Sequence, residues 1–171
     1  MPTPYRSRVK RRSALTLPAI ASLLVLTGTL FEPPVGAAPV GCDIVGTAAG
    51  ERLVGTAGDD VICGMGGDDR LSGYGGDDTI NGGPGRDRIR GGIGEDHLAG
   101  GAGADRLRGG PAGDRIFGGG GHDVLRGQRG PDTLIAEDAT GTRDLVHGGP
   151  GDDGCVVDAG DDMIGCETAV S

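Results

Sequence analysis

One carboxylate returns every nine residues through the middle of the chain: Glu51, Asp60, Asp69, Asp78, Asp87, Asp96, Asp105, Asp114, Asp123 and Asp132. A lone pair of acids is the equipment of acid–base catalysis; an unbroken series at constant spacing serves something else. Carboxylates packed close together repel unless a cation sits between them. The residues before each acid are rich in glycine, so backbone carbonyls can converge without side-chain obstruction. Carboxylate and carbonyl oxygens together are the donor set of a hard cation such as Ca²⁺, which takes about six to eight oxygen ligands. No single stretch of the repeat supplies that many, so neighbouring stretches must be stacked against each other.

The stretches that do this run without a gap from Gly46 to Ile135 as ten blocks: GTAAGERLV, GTAGDDVIC, GMGGDDRLS, GYGGDDTIN, GGPGRDRIR, GGIGEDHLA, GGAGADRLR, GGPAGDRIF, GGGGHDVLR and GQRGPDTLI. The first position is always Gly, and the eighth is always Leu or Ile, from Leu53, Ile62 and Leu71 through to Leu134. The glycine-rich part of a block favours a turn, since glycine costs backbone entropy in regular structure and visits positive φ freely. The three residues after the acid suit a short strand whose middle side chain points inward and whose neighbours point outward. Turn and strand, repeated, wind into a solenoid with two blocks per coil. Residues 18 apart then become neighbours in a parallel sheet at about 4.8 Å. The acids fall into two columns, Glu51, Asp69, Asp87, Asp105 and Asp123 in one and Asp60, Asp78, Asp96, Asp114 and Asp132 in the other. The expected fold is all-β, a parallel β-roll (β-solenoid) of nonapeptide repeats.

GGPGRDRIR, GGIGEDHLA, GGAGADRLR and GGGGHDVLR match every fixed position of G-G-x-G-x-D-x-U-x, where U is a large apolar residue. On these residues the chain resembles the RTX, or haemolysin-type, calcium-binding nonapeptide repeat family. The resemblance implies a β-roll holding Ca²⁺ between stacked turns. It implies as ligands the carboxylates of Asp60, Asp69, Asp78, Asp87, Asp96, Asp105, Asp114, Asp123 and Asp132. It adds carbonyls of the loop glycines Gly64, Gly66, Gly67, Gly73, Gly75, Gly76, Gly82, Gly83, Gly85, Gly91, Gly92, Gly94, Gly100, Gly101 and Gly103. Ala49 and Glu51 weaken the first block, Ala112 the eighth, and Gln128 with Arg129 the tenth, so about five to seven ions are expected. After Ile135 the register slips by three residues before Asp144, Asp153 and Asp162 resume the step of nine. Asp153, at the end of GGPGDD, is counted with the metal ligands. The glycine-poor block ending at His147 is expected to bind nothing, and Asp161 is read as a fifth-position residue of small consequence. Collagen is excluded by the glycine period, and an EF-hand by the missing D-x-[DN]-x-[DN]-G.

Residues 1–37 read as a secretory signal peptide: Arg6, Arg8, Lys10, Arg11 and Arg12, then an apolar run from Ala14 to Leu30, then Val35-Gly36-Ala37. The remaining organisation is an N-terminal cap at 38–45, the ten repeats at 46–135, and degenerate repeats with a C-terminal cap at 136–171. The full chain has a formal net charge of −9; five of its 16 Lys and Arg but one of its 25 acids precede residue 38, leaving −13 beyond it. That acidity argues against nucleic acid as a partner. Such a chain, with few aromatics, does not collapse easily without cations. The four cysteines suit an oxidising compartment, and the protein is expected outside the cell or at its surface, as a monomer with no membrane span in the mature chain. Five coils make a roll of roughly 24 Å, while disulfide Cα atoms lie within about 7 Å. The pairs are therefore Cys42 with Cys63 and Cys155 with Cys166.

No nucleophile has a base partner, and His97, His122 and His147 occupy outward positions, so no enzyme is expected. Stacking also gathers Arg52, Arg70, Arg88 and Arg106 with Arg90, Arg108 and Arg126 on one strand face. These arginines serve either as counter-charge to the acid columns or as a ladder for an anionic cell-surface polymer or lipid head groups. The functional expectation is a secreted calcium-binding roll whose folding depends on calcium and which acts as a structural or surface-interaction module. Its alternative is an adhesive module that uses the arginine face to bind anionic polysaccharide or lipid head groups.

Overall fold

The computed structural model describes residues 41–138 and 141–169. The expected signal peptide and the start of the N-terminal cap lie outside the described residues.

The chain rises as fifteen strands, with no helix among the described residues: β1 (Ile44–Val45), β2 (Arg52–Val54), β3 (Val61–Cys63), β4 (Arg70–Gly75), β5 (Thr79–Pro84), β6 (Arg88–Ile93), β7 (His97–Ala102), β8 (Arg106–Pro111), β9 (Arg115–Gly120), β10 (Val124–Arg129), β11 (Thr133–Ile135), β12 (Leu145–His147), β13 (Gly154–Val156), β14 (Asp162–Ile164) and β15 (Thr168–Ala169). Odd-numbered strands form an eight-stranded sheet in the order β1 to β15, and even-numbered strands a seven-stranded sheet from β2 to β14. Every pairing is parallel, and consecutive strands alternate between the sheets. This is the β-roll that the repeat predicts.

The expected register holds through the repeats. Ile62 pairs with Ile80, Ile80 with Leu98, Leu98 with Ile116 and Ile116 with Leu134 in one sheet. Leu53, Leu71, Ile89, Leu107 and Leu125 do the same in the other. From Ile62 to Leu134 each of these side chains is at most 2 % exposed. The core is therefore a narrow column from each sheet, extended by Val146, Cys155 and Ala136.

One expectation needs correcting. The central strands are six residues long rather than three, because they continue through the first three residues of the next block. Glycine there does not end the strand; it lets coils approach. A Cβ on first-position Gly100 would lie 2.5 Å from both Asp105 Oδ2 and the Gly118 carbonyl. From the third block to the tenth the second position takes positive φ whatever residue fills it: Met65 sits at 79°, Tyr74 at 88° and Gln128 at 92°, and fourth-position Ala112 is at 86°. At these four residues the glycine backbone is kept, at about 1–2 kcal/mol each for an L-residue in the left-handed region, whereas Thr47 and Thr56 of the first two blocks leave it.

The slip after Ile135 is a bulge that the roll absorbs. Leu125 pairs with Val146 and Leu134 with Cys155, after which Val146 pairs with Met163. Asp138 ties the bulge, accepting from Gly141 N–H at 2.6 Å and from Thr142 Oγ1 at 2.8 Å. Both expected disulfides are present near the ends of the roll, with Cα separations of 6.1 Å for Cys42–Cys63 and 5.9 Å for Cys155–Cys166.

Close stacking predicts a sharp contrast between two glycines. Gly103 has φ of 135° and its Cβ would overlap the Gly85 carbonyl, whereas a Cβ on Gly58 meets nothing within 4 Å. Gly103→Ala should cost roughly 3 kcal/mol or more, from backbone strain and displaced coils together. Gly58→Ala should stay within about 0.5 kcal/mol. Urea unfolding of both variants checks this, and equal midpoints would refute the close-stacking account.

Candidate metal centre

Strand alternation sends the sixth and eighth residues of a block to the same side, so each acid follows its Leu or Ile inward. Asp69, Asp78, Asp87, Asp96, Asp105, Asp114, Asp123 and Asp132 are at most 2 % exposed, and Asp60 is 8 % exposed. They form two interior ladders. Asp60 N–H donates to Asp78 Oδ1 at 2.8 Å, Asp78 N–H to Asp96 Oδ1 at 2.9 Å, and Asp96 N–H to Asp114 Oδ1 at 2.9 Å. The other column repeats the bond from Asp69 to Asp87 at 2.8 Å and from Asp87 to Asp105 at 2.7 Å. Each carboxylate thus uses Oδ1 to satisfy the coil before it. Fifth-position acids work in the opposite direction: Asp68 Oδ1 accepts from Arg86 N–H at 3.0 Å, and Asp77 Oδ1 from Glu95 N–H at 2.9 Å.

The second oxygen is different. Oδ2 of Asp69, Asp78, Asp87, Asp96, Asp105, Asp114, Asp123, Asp132, Asp144 and Asp153 is buried and accepts no hydrogen bond. A buried polar atom without a partner costs about 1–3 kcal/mol, and more when charged. These oxygens lie beside the first-position glycines, where stacked carbonyls also point: the Cβ site of Gly73 is overlapped by Asp78 Oδ2 and lies 2.7 Å from the Gly91 carbonyl. No group of three or more His, Cys, Asp or Glu side chains converges among the described residues. A cation held here must therefore take backbone carbonyls alongside each carboxylate. An all-oxygen set with one anionic side chain per coil fits a hard ion such as Ca²⁺ and disfavours the softer metals that seek nitrogen or sulfur. His97, His122 and His147 are all exposed, away from the columns.

Burial is the largest cause of an upward pKa shift along the columns, opposed by the backbone N–H and assisted by neighbouring carboxylates. It lifts Asp69, Asp78, Asp96, Asp105 and Asp132 to about 6 and Asp114 and Asp123 to about 7. Asp87 and Asp144 shift the same way, for the same leading reason.

The structure sorts the sequence expectations. First-position glycines Gly64, Gly73, Gly82, Gly91 and Gly100 are buried beside the carboxylates. Gly67, Gly76, Gly83, Gly85, Gly92, Gly94, Gly101 and Gly103 occupy positive φ in the turns and at the strand ends. Gly66 and Gly75 carry no such constraint, their nearest Cβ contacts being 3.6 and 3.7 Å. Asp60 departs from the pattern, because Thr56 occupies its Oδ2 through N–H at 2.5 Å and Oγ1 at 2.9 Å. Asp153 takes its place in the column, 2.9 Å from Asp132 N–H. Asp144 joins too, accepting from Asp123 N–H at 2.8 Å. Its glycine-poor block hides this, although its nine-residue distance from Asp153 is a usable signal.

Asp162 does not continue the column. The last coil is one residue short, so Asp161 receives Asp144 N–H at 2.9 Å across 17 residues. Asp162 turns outward to Arg143 at 2.7 Å. Asp161 Oδ2 also accepts from Asp158 N–H, so both its oxygens are filled and the column ends in a hydrogen-bonded cap.

A family model for the RTX calcium-binding nonapeptide repeat matches this chain four times, over residues 45–80, 72–107, 99–134 and 138–164. No curated protein and no solved structure matches it.

Two expectations follow from the site. Asp161→Ala should destabilise the roll by about 1–2 kcal/mol, since it strands two N–H groups, whereas Asp162→Ala should cost under about 0.5 kcal/mol, losing only an exposed pair. Chemical unfolding measures both, and the reverse order would place the column on Asp162. The second concerns pH. A carboxyl whose folded pKa is raised stabilises the cation-free roll below the usual value near 3.8, and that contribution fades as pH rises through 6 to 7. Protons and calcium therefore compete, and the calcium midpoint should fall severalfold between pH 5.5 and 8, with protons released on binding near pH 6. Calorimetry in buffers of different ionisation enthalpy counts those protons; a pH-independent midpoint with no release would contradict the burial of the columns.

Proposed function

Because the chain belongs to the RTX calcium-binding nonapeptide repeat family, we propose that it is an extracellular calcium-binding β-roll whose folding is driven by the ions it binds. The observation that carries this reading is the row of buried Oδ2 atoms without partners. The ligands are the sixth-position carboxylates from Asp69 to Asp132, with Asp144 and Asp153, together with carbonyls of the glycine-rich turns. Asp60, held by Thr56, contributes less.

Each site needs two stacked coils, so binding energy appears as folding energy. Unpartnered carboxylates that pair one coil apart bound eight intervals, from Asp69–Asp87 to Asp123–Asp144 and from Asp78–Asp96 to Asp132–Asp153. Ala112, Gln128, Arg129 and the glycine-poor block before His147 weaken some of them, which supports about five to seven filled sites. The two disulfides suit an oxidising compartment, and secretion would deliver the chain to millimolar calcium. The repeats account for residues 45–134 and 138–164, which supports a structural role over an enzymatic one.

Calcium titration tests the reading. In chelator the disulfide-intact chain should show a coil-like circular dichroism spectrum, and in millimolar calcium a β spectrum, with a steep transition because neighbouring intervals share carboxylates. Magnesium at the same concentration should be a poor substitute, since it dehydrates reluctantly and demands octahedral geometry. A β spectrum indifferent to chelator would overturn the proposal.

A further inference from the structure

The outward residues of the two sheets differ in kind. On the seven-stranded sheet Arg70, Arg88 and Arg106 are in-register neighbours, and Arg90, Arg108 and Arg126 form a second row two residues along the strands. All six are exposed, and none has an ion pair. A groove on this face is lined by five of them, Arg126 excepted. On the eight-stranded sheet the corresponding rows hold Thr79, His97, Arg115 and Thr133, and Asn81, Ala99, Phe117 and Ile135. The interior carboxylates do not account for the ladder. The sixth residue points inward and the seventh outward, so the arginines cannot reach them, and the ion pair Arg143–Asp162 lies elsewhere.

Two unpaired guanidinium rows at strand spacing repel along their length. What relieves that repulsion is a partner whose negative charges also recur along a line. We infer that this face docks a linear anionic polysaccharide lying along the roll axis, and that calcium gates the docking. A membrane is a poorer match: Ser72 stands in register with Arg90, and the large exposed side chains of these strands, Tyr74 and Ile93, lie at the strand ends beyond both rows, two against six guanidinium groups. Nucleic acid is a poorer match too, because neither row contains an aromatic side chain and the one exposed on these strands, Tyr74, lies beyond the rows, whereas successive bases stack on successive aromatic rings. Bidentate guanidinium contacts suit carboxylate and sulfate esters alike. Gating follows from register. Arg70, Arg88 and Arg106 are 18 residues apart in sequence and become neighbours only when coils stack. This part rests on calcium-driven folding, and by linkage the polymer must tighten calcium binding by the factor that calcium tightens polymer binding.

The test uses the full chain with immobilised dextran sulfate, and neutral dextran as blank. Arg70→Gln/Arg88→Gln/Arg106→Gln is compared with wild type and with Arg115→Gln on the opposite sheet. Calcium titration by circular dichroism without polymer is run first, so that failure of calcium-driven folding is seen separately. Expected is retention in calcium that weakens steeply between 0.05 M and 0.5 M salt, loss of at least about tenfold in the triple variant, and no change for Arg115→Gln. Dextran sulfate should also lower the calcium midpoint of wild type but not of the triple variant. Four results would overturn the inference: equal retention of triple variant and wild type, undiminished retention in chelator, stronger capture by phosphatidylglycerol vesicles or single-stranded DNA, or failure of both this triple variant and Arg90→Gln/Arg108→Gln/Arg126→Gln to reach the calcium-bound β spectrum. The last would make the arginines structural counter-charge.

Discussion

The roll is organised around carboxylates that are buried in line with one another. At strand spacing of about 4.8 Å, two like charges repel by roughly 3–4 kcal/mol even at an effective dielectric constant of 20. Backbone N–H groups answer only half of each carboxylate, since Oδ1 is bonded and Oδ2 is not. No rearrangement of neighbouring side chains can supply the rest, because the adjoining interior positions are Gly, Leu and Ile. The sequence therefore builds a cavity of fixed charge that must be met by something from solution, either protons at low pH or a hard cation above it.

The other features follow from that constraint. A coil closes on one Leu or Ile from each sheet, so the apolar core is too thin to set its own register against the repulsion. Register is instead imposed by glycines packed so closely that a Cβ on them would overlap the stacked carbonyls. The same closeness brings those carbonyls beside the free Oδ2 atoms. Glycine here is both a packing device and a means of presenting oxygen. The tolerance for Tyr74, Met65, Ala112 and Gln128 at positive φ shows which part of the requirement is strict: the backbone conformation is kept and the side chain is sent outward, where Tyr74 is 68 % exposed.

Features carried by periodicity were legible in the sequence. The 18-residue register, the inward eighth residue and the disulfide pairs each depend on one geometric rule applied repeatedly, and the structure has all three. Features set by local competition were not legible. Thr56 matches no fixed position of the repeat, yet its N–H and hydroxyl fill the oxygen of Asp60. The doublet Asp161-Asp162 offers two candidates for one place, and only the shortened final coil decides between them. Strand length was misread because glycine is a poor strand former when judged alone. In this roll the ladder of the neighbouring coil overrides that preference, and β5 runs through Gly82 and Gly83 to Pro84.

The ends of the columns show how the chain limits its own charge problem. Glu51 Oε2 accepts from Thr47 N–H at 2.5 Å, Asp60 is held by Thr56, and Asp161 has both oxygens filled. At three of the four column ends, where there is no further coil to share an ion, the chain supplies hydrogen bonds of its own; the fourth, Asp153, keeps a free Oδ2. In the middle, where every interval has a coil on each side, it supplies none. An acid column built only for structure would gain from such bonds along its whole length. Their restriction to the first two acids and to Asp161 fits a column arranged around shared cations better than one held by side-chain hydrogen bonds.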